Sequence, residues 1–228
     1  MGLAHSPTII RDGLTCYLDI ENPRSFSGGN TWYDLSGNNI NATFVNTITY
    51  EPSKPAYLAT NGTNSYINIA SFIQSLDNTD NTFSMWFKCP TTPTSNDPVI
   101  SDNYGPEWGI WRDQNNDVRA YVYTNGTKNI EVDNNEWVNV TFSWFASPGD
   151  SGGPYYRTTW FNGEAVEVDY SATVGNGLND TSFKIGADPN NSSQYMEVHV
   201  SVVQHYNRRL TDSEVKQNFN ALRGRYGV

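Results

Sequence analysis

Short segments rich in β-branched and aromatic residues recur about every 8–12 residues along this chain. Clusters of Asn, Gly, Asp, Ser and Pro separate them, which is the spacing of a β-sandwich or barrel. Strands are expected at 14–20, 66–69, 82–88, 108–112, 118–123, 137–145, 158–161, 165–170, 182–185 and 198–206. The polar stretch 113–117 reads as a turn joining two of them into a hairpin. Asn125-Gly126 and Asn162-Gly163 supply the positive φ angles of tight hairpin turns. One helix stands out at 211–223. Thr211 and Glu214 have capping-box spacing, and Val215, Phe219 and Leu222 form one apolar stripe that ends near Arg223-Gly224. The fold class expected is all-β with a single C-terminal helix.

A chain of 228 residues fits one β unit of this kind. It divides into an N-terminal arm, 1–12, and one domain, 13–228, with no linker or repeat to split it. Aromatic residues make up 14%, too large an apolar payload for a disordered chain. Charged residues are only 17%, and 28 Asn and 21 Thr take their place. Lys and Arg number 14 against 24 Asp and Glu, a net charge of −10. Nucleic acid and anionic membrane surfaces need clustered basic residues, so neither is expected as a partner. No apolar run approaches the roughly 18 residues of a membrane span. His5, Ser6 and Pro7 stand where a signal peptide needs an apolar core, so no secretion signal is expected.

Gly149-Asp150-Ser151-Gly152-Gly153-Pro154 reproduces the hexapeptide around the nucleophile of chymotrypsin-like serine proteases. A serine nucleophile needs a histidine base and an acid that orients it. The one histidine before Ser151 is His5, so an exposed loop with an unactivated Ser151 is expected, and no protease activity. His199 and His205 lie six apart on one strand and are expected on one half-exposed face rather than as metal ligands. Glu107, Glu164 and Glu167 single out no carboxylate pair of the kind glycoside hydrolysis requires. No metal site can be read, though calcium held by loop carbonyls would leave no motif. Cys16 reads as a buried apolar residue, and whether it pairs with Cys89 is open. The aromatic residues offer the stronger lead. Tyr104, Trp108 and Trp111 lie in or beside a polar loop with Asp102 and Asn103. Flat rings beside Asn and Asp suit the C–H faces and hydroxyls of sugars, so these five residues are the candidate carbohydrate site, with core packing as the alternative for the two Trp.

Four stretches, in order, resemble concanavalin-A-like, laminin-G-like jelly rolls. They are Gly13 to Asp19 with Trp32 to Asn38; Trp137 to Phe142; Phe161 to Glu164; and Tyr206 to Glu214. The resemblance implies a two-sheet antiparallel jelly-roll sandwich that binds glycans or proteins, in some members through Ca²⁺. The chain departs from the pattern at Met196-Glu197, where such proteins usually have Gly before the last strand. Its two ends are similar to those of laminin-G-like proteins of tailed, marine bacteriophages. That implies a non-catalytic virion surface protein, a head decoration or tail-fibre component assembled in the host cytoplasm. Its partners would be other virion proteins and host-surface glycans, with homo-oligomers open and no cofactor required. His5, Pro7, Arg223, Arg225 and Tyr226 are the candidate docking residues. A free lectin and a glycan-cleaving enzyme are the alternatives.

Overall fold

A strand buried along its whole length must be covered on both faces, and two segments of this chain are of that kind. Asn81–Lys88 and His199–Tyr206 run antiparallel side by side, with Lys88 alone partly exposed. The computed structural model describes residues 7–70, 80–102, 105–122, 125–126, 129–146, 155–172, 182–189, 191 and 193–228.

The first six strands are β1 (Leu14–Asp19), β2 (Thr31–Trp32), β3 (Ala42–Val45), β4 (Thr49–Glu51), β5 (Tyr57–Ala59) and β6 (Tyr66–Ala70). Then come β7 (Asn81–Lys88), β8 (Asp97–Asp102), β9 (Gly105–Arg112), β10 (Asp117–Val122), β11 (Asn125–Gly126) and β12 (Ile130–Glu131). The last are β13 (Val138–Ala146), β14 (Tyr155–Phe161), β15 (Glu164–Ala172), β16 (Ser182–Ile185) and β17 (His199–Tyr206), followed by helix α1 (Asp212–Leu222). Sheet A has the order β15-β14-β13-β7-β17-β5-β4, with β1 also beside β17. Sheet B has the order β11-β10-β9-β8-β16-β6-β3-β2, with β12 beside β10. The result is the expected sandwich of two antiparallel sheets with a C-terminal helix.

Two cores hold it together. Phe83, Met85 and Phe87 of β7, with Val140, Phe142 and Trp144 of β13, face Ile67, Ile69, Trp108, Ile110 and Phe183 of sheet B. Alternate residues on a strand point to opposite faces, so Trp86 looks outward from sheet A. There it joins Trp137, Trp160, Tyr206, Val215, Phe219, Leu222 and Tyr226 in the second core, under α1. The helix starts as its sequence requires. Thr211 caps it, with the Thr211 hydroxyl accepting from the Glu214 backbone and the Glu214 carboxylate accepting from the Thr211 backbone. Past Leu222 the chain continues through a 3₁₀ turn, Arg223–Arg225, rather than stopping at Gly224.

The Asn162-Gly163 turn sits directly beneath the helix. Both residues have positive φ, 49° and 76°, and a Cβ on Gly163 would lie 2.8 Å from the Phe219 side chain. Glycine therefore serves both the turn and the helix contact. Asn125-Gly126 does not form the expected turn. These two residues pair with Val122 and Tyr121 as β11, and the intervening 123–124 lie outside the described residues.

The expected common face of His199 and His205 is broken by a β-bulge. Val200 pairs with inward Phe87, but Val202 pairs with outward Trp86, so one extra residue reverses the alternation. His205 consequently faces the inter-sheet core opposite Phe83, while His199 faces outward and stacks on Tyr57 at 4.4 Å. Neither is half-exposed: their exposures are 9% for His199 and 1% for His205. Cys16 and Cys89 are both buried free thiols.

Phe219→Ala removes a ring stacked on Trp86 at 5.5 Å and is expected to cost about 3–5 kcal/mol in a urea melt. The loss falls in the second core, on the outer face of sheet A. A pH effect follows from His205, whose imidazole Nδ1 lies 2.5 Å from Thr15 Oγ1 and whose burial pushes its pKa down to about 3. The unfolded chain binds a proton near pH 6.5 that the folded chain refuses. Folded stability is therefore complete above about pH 6.5 and falls as pH drops toward 3. Between pH 6.5 and 4.5 urea midpoints are expected to decline, by at most about 1.4 kcal/mol per pH unit for this group. His205→Gln is expected to flatten that slope.

Candidate functional site

Of the five residues expected to bind sugar, Asp102, Trp108 and Trp111 are described, and all three are buried. Trp108 is fully buried in the inter-sheet core, 4.7 Å from Phe183 and 5.1 Å from Phe83 between ring centres. Trp111 is one residue out of phase with Ile110, so it turns to the outer face of sheet B. It is nonetheless buried, edge-on to Tyr121. Asp102 is also fully buried. Asn103 and Tyr104 lie outside the described residues, as do 147–154 with the Ser151 motif. The alternation of β9 thus gives both Trp residues to packing, and neither ring presents a face to solvent.

The expected docking residues divide in the same way. His5 lies outside the described residues, and Pro7 and Arg223 are exposed. Arg225 and Tyr226 are taken up by the domain itself. The Arg225 guanidinium donates to both oxygens of buried Asp19, at 2.8 and 3.0 Å. Tyr226 stacks on Trp86 at 4.0 Å and donates to Ser201 Oγ at 2.9 Å. The end of the arm is tied down too. Gln217 Nε2 donates to the Thr8 carbonyl, Ile10 N–H donates to Asn218 Oδ1, and Ile9 is buried in the second core. Ile9 and Ile10 thus pack against the helix side of sheet A, with Ile9 buried and Ile10 partly so.

A polar cleft opens elsewhere, at the end of the sandwich where β8 begins. Asp97 at the start of β8 and Asp102 at its end are about 16 Å apart along the strand. Three connections meet at the Asp97 end: β5 to β6, β7 to β8, and β16 to β17. Each is shaped by its own side chains. Asn61 Oδ1 accepts from the backbone N–H groups of Thr63, Asn64 and Ser65, closing the first into a tight turn. In the second, the buried Arg112 donates to the carbonyls of Cys89 and Thr91 and holds the strand exit from below. The third is fastened at its base by Thr60, whose hydroxyl donates to the Met196 carbonyl at 2.7 Å and accepts from Val198 N–H at 2.8 Å. No glycine is needed at Met196-Glu197, because the close approach is provided from the other side. Gly62 at φ 65° would, with a Cβ, stand 3.0 Å from the Glu197 nitrogen. Gln194 then ties the third connection to the second by donating to the Asn96 carbonyl and to Asp97 Oδ1.

Between these loops lies a hollow of about 400 Å³ lined by Thr94, Ser95, Asp97, Asn191, Gln194 and Tyr195. A second hollow of about 190 Å³ adjoins it, bordered by Asn61, Thr91, Pro93 and Glu197. Asp97 and Tyr195 line both. Among the described residues the two carboxylates are Asp97 and Glu197, and no Lys or Arg lines either hollow. Glu197 Oε1 is 3.1 Å from His199 Nε2. Burial pushes the His199 pKa below the ordinary imidazole value, although the Glu197 hydrogen bond pulls the other way. At neutral pH the imidazole is uncharged and leaves the Glu197 charge in place. Hydroxyls, amides, two carboxylates and a phenol ring around a concavity suit a polyhydroxylated ligand. The sequence signal was the Asn, Ser and Gln run at 190–194, which resembles any other polar loop. Among the described residues no group of three or more His, Cys, Asp or Glu gathers as a metal site.

Known proteins share this architecture. Trypanosoma rangeli sialidase in complex with sialic acid superposes with a TM-score of 0.71 at 19% identity, covering 96% of this chain and 34% of that one. The same sialidase as a covalent intermediate with 2,3-difluorosialic acid gives 0.69 at 18%, covering 92% and 33%. The binding domain of botulinum neurotoxin DC, in complex with rat synaptotagmin II, gives 0.67 at 14%, covering 93% and 52%. The chain therefore spans about a third of the sialidases and about half of the toxin domain, and at such identity the likeness is one of fold. No curated protein matches it in sequence. The expectation of a non-catalytic chain does not survive, because sialidases are among the structures it resembles. A family model described as the concanavalin A-like lectin/glucanases superfamily matches residues 61–216. That match takes in β6 to β17, the connections around the cleft and the start of α1, and the chain belongs to this laminin-G-like superfamily of lectins and glucanases.

Proposed function

We propose that this domain recognises carbohydrate, in the cleft between the three connections at the Asp97 end of the sandwich. The observation that carries the reading is the lining itself. Hydrogen-bonding groups of both polarities converge on a concave surface, and Tyr195 adds an aromatic face. The loops are fixed to one another through Thr60, Arg112 and Gln194, so little ordering entropy is left to oppose binding. The outer face of sheet A, one of the two broad surfaces of the sandwich, is taken up by α1 and the tail.

A second reading, glycan cleavage, rests on one observation: Asp97 and Glu197 bring two carboxylates to the cleft, the residue types that glycoside hydrolysis uses. The finer reading, a bacteriophage virion surface protein touching host glycans and other virion proteins, rests on the resemblance of the chain ends. Pro7 and Arg223 are the exposed members of the docking set that it would use.

Binding is tested on a glycan array followed by calorimetry on the best ligand. Tyr195→Ala is expected to weaken binding about tenfold, roughly 1.4 kcal/mol, while Tyr33→Ala, a ring exposed elsewhere, leaves it unchanged. Equal affinities for wild type and Tyr195→Ala would move the site away from this cleft. New reducing ends from the bound glycan, lost in Glu197→Gln, would favour cleavage. For the virion reading, mass spectrometry of purified particles is expected to find the chain; its absence there would leave the glycan-binding domain without that setting.

A further inference from the structure

We infer that the cleft selects saccharides without acidic groups and rejects sialylated, uronic or sulfated ones. This rests on the carbohydrate reading above and goes further by naming the charge class of the ligand. Asp97 lines both hollows and Glu197 the second, and among the described residues no Lys or Arg lines either. Among those residues neither carboxylate forms an ion pair with Lys or Arg that would cancel its charge. Asp97 accepts from the Ser95 hydroxyl and the Gln194 amide, both neutral. Glu197 meets the His199 imidazole, which burial keeps uncharged at neutral pH. Lys88 lies across the sheet from His199, but its ammonium is over the rings of Tyr57 and Trp137, at 5.1 and 5.5 Å, and makes no ion pair with Glu197. The chain as a whole carries −10, so the far field has the same sign as the near one.

An anionic sugar entering the hollow would lose hydration and meet like charge without a guanidinium or ammonium to receive its carboxylate or sulfate. A neutral sugar meets no such penalty. Its hydroxyls can donate to Asp97 and Glu197 and accept from the Asn191 amide, and charge-assisted bonds of the first kind are the stronger ones. An amino sugar would add a cation to the same arrangement. The bound sialic acid of the trypanosomal enzyme therefore does not indicate the ligand of this cleft: a common fold carries different sites.

The test uses the full chain and an array of matched glycan pairs, each a neutral core and the same core capped with sialic acid, a uronic acid or sulfate. Neutral members are expected to bind and each acidic cap to weaken binding at least tenfold, with the gap narrowing as salt is raised. Asp97→Asn with Glu197→Gln is expected to narrow the gap between paired glycans. Glu197→Gln alone serves if the double variant melts early. Acidic members binding as tightly as their neutral partners would overturn the inference and leave carbohydrate recognition standing. A gap that both variants leave unchanged would place the selection outside this cleft and also overturn it. Failure of every glycan, neutral, amino and acidic, to bind the wild type would overturn the carbohydrate reading itself, and this inference with it.

Discussion

The stack of Trp86 against Phe219 and Tyr226 is the contact on which the rest of the architecture depends. Trp86 lies on β7, the central strand of sheet A, and points away from the inter-sheet core. An indole there, left exposed, would open a large apolar surface in the middle of the sheet. The chain covers it by returning: β17 runs beside β7, α1 crosses over it, and the 3₁₀ turn sets Tyr226 4.0 Å from the indole. Arg225 then joins the buried Asp19 of β1 through two charge-assisted bonds. Such a carboxylate is tolerated inside only because the guanidinium and the Tyr17 hydroxyl, 2.7 Å away, satisfy it. The last residues of the chain are thus bound to the first strand, and neither end of the domain closes without the other.

The same aromatic layer reaches the cleft. From Trp86 the ring contacts pass to Tyr226, Trp137, Tyr57 and His199, each within 6 Å of the next. His199 hydrogen-bonds Glu197 on the cleft wall. Rings have few rotatable bonds, so a continuous stack is a stiff support for a side chain at its end. Arg112 supports the opposite wall. Its guanidinium also donates to the Val132 carbonyl and to the side chains of Asn116 and Asn134, binding one strand exit to two other loops.

The sequence made the fold legible because alternation and turn chemistry are local. The strands 66–69, 82–88, 165–170 and 182–185 emerge within a residue or two of their expected bounds, and the Thr211 capping box is present as read. Edge strands as short as β2, β4 and β12 carry too few residues for alternation to register. The bulge in β17 was hidden because one extra residue leaves a run such as His199–Tyr206 looking regular, yet it separates the two histidines. The burial of the two tryptophans was hidden for a related reason. Trp108 and Trp111 lie beside a polar turn in sequence, but burial is decided by the sheet opposite. Arg225 and Tyr226 resembled a free basic tail because Asp19 and Trp86, their partners, are far away in the chain.

The abundance of Asn has a structural cause that also bears on the ligand. Asn39, Asn46, Asn116, Asn135 and Asn162 all hold positive φ, where a short polar side chain is tolerated and larger ones are not. Asn61 instead uses its carbonyl to satisfy three backbone donors. Amides committed to turns in this way cannot also read a sugar. Asparagine content therefore says little about binding, and charge is the better guide to specificity. Asp97 accepts the Gln194 amide that joins two of the loops, and Glu197 meets His199 from the third connection. The convergence of two carboxylates from different connections is what separates this cleft from the many polar turns around it.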